Sequence, residues 1–215
     1  GSGARRAIAE LLADDFHVNR RDDRMAPYSS NGPTWYDGLA KPDVVAPGHF
    51  LGSEASPKSA LFKQYLSLHK RGRSGKDFMR LSGTSMAAGV TTGVVALLEQ
   101  ATQRALTPNL AKGALQFTAI PMKDDRGVVY GPLRQGTGEI NPLGALTLVD
   151  NINATVTNLE RPWADLRLPR TTLIGNRQYA WASNIVWGDN IVWGDSVFYN
   201  LPVWGLNIVW GNNIV

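Results

Sequence analysis

The sequence of 215 residues contains no cysteine. Disulfide bonds and metal sites built on thiolates are therefore excluded, although this absence says little about the compartment in which the protein works. No stretch approaches the roughly 18 consecutive apolar residues of a membrane-spanning helix. No clustered carboxylate loop suggests a calcium site, and we expect neither a metal nor a cofactor.

The chain also lacks a large excess of either positive or negative charge. The chain has 22 Lys and Arg residues against 18 Asp and Glu residues, a formal net charge of +4. The basic residues are scattered apart from two loops, so nucleic-acid binding is not indicated. Residues 20–24 carry charges of both signs, which is typical of a solvated turn. Residues 70–76 are basic and glycine-rich, which favours an exposed loop, with a docking or processing site as the alternative.

The composition is that of a folded chain. Apolar residues make up 43% of the sequence, which is enough for a hydrophobic core. The length predicts one domain of ordinary size with an extension. Residues 1–6 lack the apolar centre of a signal peptide, and they fit a cloning scar or the cut end of a longer chain.

Residues 81–89, with the sequence LSGTSMAAG, form a small polar turn that runs into an apolar segment. Met86, Val90 and Val94 recur at helical spacing, which predicts a buried helix. Ser85 then lies in the first turn, where unpaired N–H groups and the positive end of the helix dipole collect. A hydroxyl there has donors nearby for a developing oxyanion, as acyl transfer requires. The alternative is an ordinary helix cap.

Two further blocks precede this turn, SSNGP at residues 29–33 and KPDVVAPG at residues 41–48. In this order, the three blocks resemble the C-terminal half of the catalytic domain of a subtilisin-like serine protease (subtilase). The resemblance covers roughly residues 16 to 149. It implies a serine endopeptidase that acts on a peptide or protein substrate, and a secreted or cell-surface location in a bacterium.

The resemblance also implies the roles of individual residues. Ser85 corresponds to the nucleophile, with its own N–H as one oxyanion donor. Gly83 and Thr84 would shape the turn that binds the oxyanion and the substrate, and Met86 would pack beneath it. At Gly89 the sequence departs from the proline with which the family usually enters this helix.

Two of the three catalytic groups have no counterpart in the sequence. In subtilases the Asp lies in an Asp-Thr/Ser-Gly turn, the His begins a helix in His-Gly-Thr-His, and an Ala-Gly-Asn stretch supplies an oxyanion amide. None of these motifs occurs in this sequence. His17, His49 and His69 lack small flanking residues, and we expect surface or structural roles for them. The resemblance therefore implies a companion chain or N-terminal segment that carries the Asp, the His and the Asn.

The expected fold class is α/β, specifically the C-terminal half of a three-layer domain with a parallel sheet. The pattern predicts strands at residues 25–30 and 43–46, the second of them buried in the sheet. It predicts helices at residues 4–13, 107–118 and 142–148, and a short helix within 61–68 of a long polar insertion. Trp35 and Tyr36 are expected to pack the turn before them, and Asp43 is interpreted as structural.

The C-terminal tail repeats the unit Asn-Ile-Val-Trp-Gly-Asp/Asn. Ile and Trp lie two residues apart and share one face of an extended segment, while Gly-Asp and Gly-Asn form turns. We expect short strands that break at each glycine, giving a β repeat tail. The Ile and Trp side chains would then form an apolar stripe, which must pack on the core of the same chain, on a partner chain or on copies of itself. Sugar binding is a weaker alternative.

Three regions follow from these patterns. Residues 1–150 would be the C-terminal part of a subtilisin-like catalytic domain, 151–180 a linker, and 181–215 the repeat tail. A second hypothesis treats the chain as a structural or assembly protein, or an inactive protease-like partner, in which the tail drives self-association or docking. Under that hypothesis the tail, rather than Ser85, carries the function.

Overall fold

A computed structural model describes residues 20, 23–35, 38–71, 76–102, 106–151, 168–187 and 191–193. The predicted helix at residues 4–13, His17 and Tyr36 lie outside these ranges. The elements in chain order are β1 (Leu51–Glu54), α1 (Ala60–Gln64), a 3-10 turn (Leu66–Leu68), β2 (His69–Arg71), β3 (Asp77–Leu81), α2 (Thr84–Ala101), α3 (Pro108–Thr118), α4 (Pro132–Gln135), α5 (Pro142–Asp150), β4 (Thr171–Ile174), β5 (Arg177–Ala180), β6 (Ile185–Trp187) and β7 (Ile191–Trp193).

Helix α2 is the longest element of the described chain, with 18 residues. The predicted helix is confirmed, but only its second half is buried. Val94, Leu98 and Ala101 face the core, whereas Met86 and Val90 are half-buried. The predicted burial therefore holds for the second half of α2, whereas the first two turns remain accessible.

Helices α3 and α5 complete the helical core against α2. Thr107 caps α3 as predicted, since its hydroxyl accepts a hydrogen bond from the Leu110 N–H at 3.3 Å. Asn141 caps α5 in the same way, by accepting from the Gly144 N–H at 3.0 Å. The cluster also includes two residues from the tail side of the chain, Trp181 and Ile185. The fully buried members Leu98, Leu146, Leu148 and Ile185 lie at its centre.

Parallel pairing is limited to a single bridge between Val45 and Glu139 among the described residues. Glu139 also bridges antiparallel to Ile120, and the hydrogen bonds of both bridges measure 2.8 to 3.0 Å. The strand predicted at residues 43–46 is thus one bridge long. The strand predicted at residues 25–30 is wrong, because the chain turns at Pro27 and Tyr28.

The predicted insertion folds into a three-stranded antiparallel sheet with the strand order β1-β3-β2. We call residues 51–81 the β-arm. Its short helix α1 confirms the prediction for residues 61–68. The arm begins after Gly48 and ends at the turn before α2, so both its ends meet the start of that helix. The expectation that Trp35 packs its turn is wrong, since 93% of this residue is exposed.

Residues 171–180, which the sequence assigns to a linker, form the hairpin β4–β5. The chain then packs on the helical core. The Trp181 indole N–H donates to the Thr172 hydroxyl at 2.7 Å, and the Ala182 N–H donates to the Ala119 carbonyl at 2.7 Å. Strands β6 and β7 pair antiparallel. The remaining repeats lie outside the described residues.

No helix in the described ranges is long and apolar enough to cross a membrane.

Candidate active site

The turn at Gly83 starts helix α2 and places Ser85 in its first turn. Gly83 has φ 156° and ψ 162°, a region that glycine enters without strain. Its carbonyl accepts from the N–H groups of Met86 at 3.1 Å and Ala87 at 3.3 Å. The helix therefore begins on a backbone cap, and the Ser85 side chain is not used as the cap.

The Ser85 hydroxyl is accessible. Ser85 and Thr84 are both exposed, and within the described part of the chain the Ser85 side chain makes no hydrogen bond. The backbone N–H groups of these two residues also have no acceptor among the described residues. Free N–H groups at the positive end of a helix stabilise an adjacent oxyanion. The site thus combines a free hydroxyl with oxyanion donors.

Two contacts fix this turn against the end of the second sequence block. The Gly83 N–H donates to the Gly48 carbonyl at 2.8 Å, and the Phe50 N–H donates to the Ser82 hydroxyl at 2.9 Å. A Cβ on Gly48 would lie 2.8 Å from the Gly83 carbonyl oxygen and 3.1 Å from the Ala87 Cβ. Glycine at position 48 therefore permits the close approach that holds the serine turn in place.

A cleft of about 710 Å³ opens beside the turn. It is lined by a stripe of small residues on α2, by residues 47–49 and by Tyr28. Residues 44–46 and Glu139 also line it. The α2 stripe consists of Thr84, Ala87, Ala88 and Thr91. Small side chains at this spacing leave room for another chain to approach the start of α2.

His49 lies in the cleft wall but is engaged elsewhere. Its Nδ1 lies 3.2 Å from the Tyr28 hydroxyl, and its ring packs against Phe50 with centroids 4.2 Å apart. The second described histidine, His69, stacks on Phe62 at 3.6 Å. Neither forms a hydrogen bond with Ser85 in the described structure. These contacts agree with the surface or structural roles expected for both histidines.

A half-buried carboxylate that no sequence motif marks lines the cleft. Glu139 pairs with Arg20, which also binds Asp23 with 3.2 Å between Nε and Oδ2. Burial raises the pKa of Glu139 to about 7; the Arg20 charge opposes this rise, and the Asp23 charge adds to it. Because Arg20 and Glu139 are 119 positions apart, no local pattern could have predicted this pair.

Asp43 forms a second charged cluster behind the cleft. Its carboxylate lies 2.6 Å from the Lys41 ammonium and 2.9 Å from that of Lys112, and it accepts from the Gln116 amide at 3.1 Å. Burial is the largest single influence and opposes ionisation, but the hydrogen bonds and charges of Lys41 and Lys112 together outweigh it, so the pKa of Asp43 lies below its usual value. Asp43 thus ties α3 to the block at residues 41–48, which matches its predicted structural role.

No group of three or more potential metal ligands occurs in the described residues. The groups that the described site offers for chemistry are the Ser85 hydroxyl, the N–H groups of the helix start and the shape of the cleft.

An exposed serine at a helix N-terminus beside a cleft is typical of the class of serine hydrolases. A sequence model of the subtilase family matches residues 15–151. The chain is 38% identical to the serine protease AprX of Bacillus subtilis over 120 aligned residues. This alignment covers 56% of the chain and 26% of the relative. The chain is 35% identical over 147 residues to pyrolysin of Pyrococcus furiosus, covering 66% of the chain and 9% of the relative.

The chain belongs to the subtilase family, and the resemblance noted in the sequence is confirmed. The minor extracellular protease Vpr of Bacillus subtilis is 31% identical over 124 residues, covering 58% of the chain and 14% of the relative. The chain thus spans about a quarter or less of the length of these relatives.

Proposed function

We propose that the chain supplies the nucleophile of a subtilisin-like serine endopeptidase. Ser85 Oγ attacks the scissile carbonyl carbon while its proton passes to an imidazole. The C–N bond then breaks, the leaving amine takes that proton, and water hydrolyses the acyl-enzyme. The observation that carries this proposal is the exposed hydroxyl on the first turn of α2, next to unpaired N–H groups.

The neighbours of Ser85 have distinct roles in this proposal. The Ser85 N–H donates to the oxyanion, and Gly83 gives the turn its shape. Thr84 lines the cleft and contacts substrate. Met86 is half-buried, and its sulfur would lie 3.5 Å from a Cβ placed on Gly83, so it packs against the turn from below.

The Asp, the His and the oxyanion Asn come from a companion chain or N-terminal segment. Two features support a missing neighbour. The backbone groups of Val44 and Ala46 form no hydrogen bond in the described chain, so the edge of the Val45 bridge is open along the cleft. Residues 84–98 of α2 carry no charge, and Ala88 is exposed, whereas the solvent face of a helix is normally charged.

The chain then acts outside the cell or at its surface, on a peptide or protein substrate. The name of the relative Vpr supports this location, since that protein is called extracellular.

The test is labelling with a serine-directed fluorophosphonate after the chain is joined to a segment that carries the Asp, His and Asn. We expect the label at Ser85, and no label after Ser85→Ala. Ser67→Ala, which removes another exposed serine from the 3-10 turn, is the matched control and should label like the parent. A label that survives Ser85→Ala would disprove the assignment.

The alternative proposal, an assembly or inactive partner protein, draws support from the repeat tail. Strands β6 and β7 carry the same Ile-Val-Trp sequence and pair in antiparallel register, with Ile185 opposite Trp193. Removal of residues 194–215 should leave fluorophosphonate labelling unchanged if the chain is a protease, and should abolish self-association if the tail drives assembly. Sedimentation velocity of both lengths distinguishes these outcomes.

A further inference from the structure

The two faces of the β-arm differ in what covers them. Residues directly opposite each other in neighbouring strands share a face. Phe78 lies opposite Glu54 in β1 and Lys70 in β2, and Arg80 lies opposite Gly52. These five residues therefore form one face, which we call the open face.

Helix α1 and the 3-10 turn cover the other face. Met79 on that face is 4% exposed. His69, opposite Met79 in the register, stacks on Phe62 of α1 with an interplanar angle of 16°. The arm thus has a packed side, and no described element covers the open face.

The open face carries two cations without an acidic partner in the described residues. Lys70 and Arg80 are both exposed. The acidic residue on this face, Glu54, is already paired with Lys76 at 2.9 Å. Phe78 is half-buried between them. An exposed sheet face with an aromatic centre and unpaired cations is complementary to an acidic polypeptide.

The arm also holds the positive charge of the whole chain. Residues 51–81 contain seven Lys and Arg residues and two acidic residues, a net charge of +5, against +4 for all 215 residues. The rest of the chain is therefore close to neutral. A charge concentrated on one element attracts oppositely charged segments to that element.

The arm is positioned to meet a substrate held at Ser85. Its two ends are joined by the Phe50–Ser82 hydrogen bond, and Arg80 precedes Ser85 by five residues. Five residues of chain span at most about 18 Å, which a short extended peptide can bridge.

We propose that the open face of the β-arm binds an acidic segment of the substrate polypeptide, flanking the bond that is cleaved. This inference rests on the proposed function and adds a substrate class to it: proteins or peptides with Asp or Glu residues a few positions from the scissile bond. Lys70 and Arg80 are the specificity-determining residues, and Phe78 packs against the stems of the peptide side chains.

A peptide fits this surface better than a nucleic acid does. Only two unpaired cations lie on the open face in the described structure, whereas a nucleic acid presents a phosphate at every nucleotide. The direct connection of the arm to the serine turn also favours a ligand that the site itself would process.

The experiment measures binding of fluorescein-labelled octapeptides to the 215-residue chain by anisotropy at low salt. One peptide is rich in Asp and Glu, and a second has Lys in their place. We expect the acidic peptide to bind more tightly, and the double variant Lys70→Glu/Arg80→Glu to bind it about 5- to 20-fold more weakly. The matched control Lys58→Glu/Lys63→Glu changes the net charge equally but alters residues outside the open face, and we expect an effect below about threefold.

Three outcomes overturn the inference. They are equal binding of both peptides, equal losses in the two double variants, and tighter binding of an oligonucleotide of similar length that Lys70→Glu/Arg80→Glu also weakens. Fluorophosphonate labelling of Ser85 distinguishes a failure of this inference from a failure of the proposed function. A preference for the acidic peptide without labelling refutes the protease proposal alone, and labelling without the preference refutes the substrate class alone.

Discussion

The carbonyl oxygen of Gly48 and the N–H of Gly83 lie 2.8 Å apart in a hydrogen bond. They belong to two sequence blocks separated by the entire β-arm. The bond closes the arm at its base and sets the position of the turn that carries Ser85. The serine geometry therefore depends on a residue 37 positions upstream that touches no substrate in the proposed mechanism.

Gly48→Ala should displace the serine turn, because its Cβ would lie 2.8 Å from the Gly83 oxygen. We expect a loss of about 1 to 3 kcal/mol in the free energy of unfolding, and at least a roughly tenfold lower rate of fluorophosphonate labelling in the completed enzyme. Gly131→Ala is the control, since a Cβ there meets nothing within 4 Å. Parent-like labelling of Gly48→Ala would show that this contact does not position Ser85.

Glu139→Gln should remove a pH dependence of stability. The pKa of Glu139 is raised from 4.5 to about 7 by burial, so folding favours the protonated form. Its contribution to stability is complete below pH 4.5 and is lost as the pH rises through 7. The parent should lose at most about 3 kcal/mol across this window, and the Gln variant should not.

Thermal unfolding between about pH 5 and 8 provides this measurement. Glu99→Gln, which changes an exposed carboxylate on α2, should keep the profile of the parent. If Glu139→Gln retains that profile too, ionisation of Glu139 is not coupled to folding.

Thr172→Val should destabilise the fold by about 2 to 4 kcal/mol. The Thr172 hydroxyl accepts from the Trp181 indole at 2.7 Å and from the Asn141 amide at 2.8 Å, and the substitution removes this shared acceptor from two buried donors. Thr171→Val is the matched control; it removes only an exposed hydrogen bond with Gln178 and should cost less than about 1 kcal/mol. Urea unfolding measures the free energy of unfolding of both variants. Equal losses in the two variants would contradict the buried hydrogen-bond network.

Ala88→Glu should prevent assembly with the companion segment without unfolding the chain. Ala88 is exposed on α2 and lines the cleft, so a charge there costs the isolated chain less than about 0.5 kcal/mol. Buried against a partner, the charge would be uncompensated, and labelling of Ser85 should fall more than about tenfold. Gln100→Glu, at the far end of α2, is the control. Undiminished labelling of Ala88→Glu would mean that this face stays open in the enzyme.

The sequence predicted elements that are determined locally. Thr107 followed by proline indicates a helix start within a single turn, and the turn before Ser85 is equally local. The β-arm was not predicted, because its strands are three to five residues long and polar on one face, and only their pairing reveals a sheet. The strand predicted at residues 25–30 is absent for a different reason. Its apolar residues are interrupted by Pro27, which turns the chain.

Within the site, too, features set by local sequence could be predicted, and features set by distant contacts could not. The position of Ser85 at the helix start could be predicted from spacing, and the role that we propose for it comes from the resemblance. The Arg20–Glu139 pair depends on two distant segments that meet only in the folded chain. The closeness of Gly48 to Gly83 is likewise tertiary, although a glycine after proline marks a turn.

The anchoring of the chain at Trp181 has a mechanical consequence. The Ala182 and Ser183 N–H groups donate to the carbonyls of Ala119 and Phe117, at 2.7 and 2.9 Å, immediately before the first repeat strand. Tension that reaches Ile185 from the C-terminal side is therefore borne first by these two hydrogen bonds at the end of α3, before it reaches the helix that bears Ser85. The segment that leads into the repeats is thus fastened to the end of α3 by two backbone hydrogen bonds.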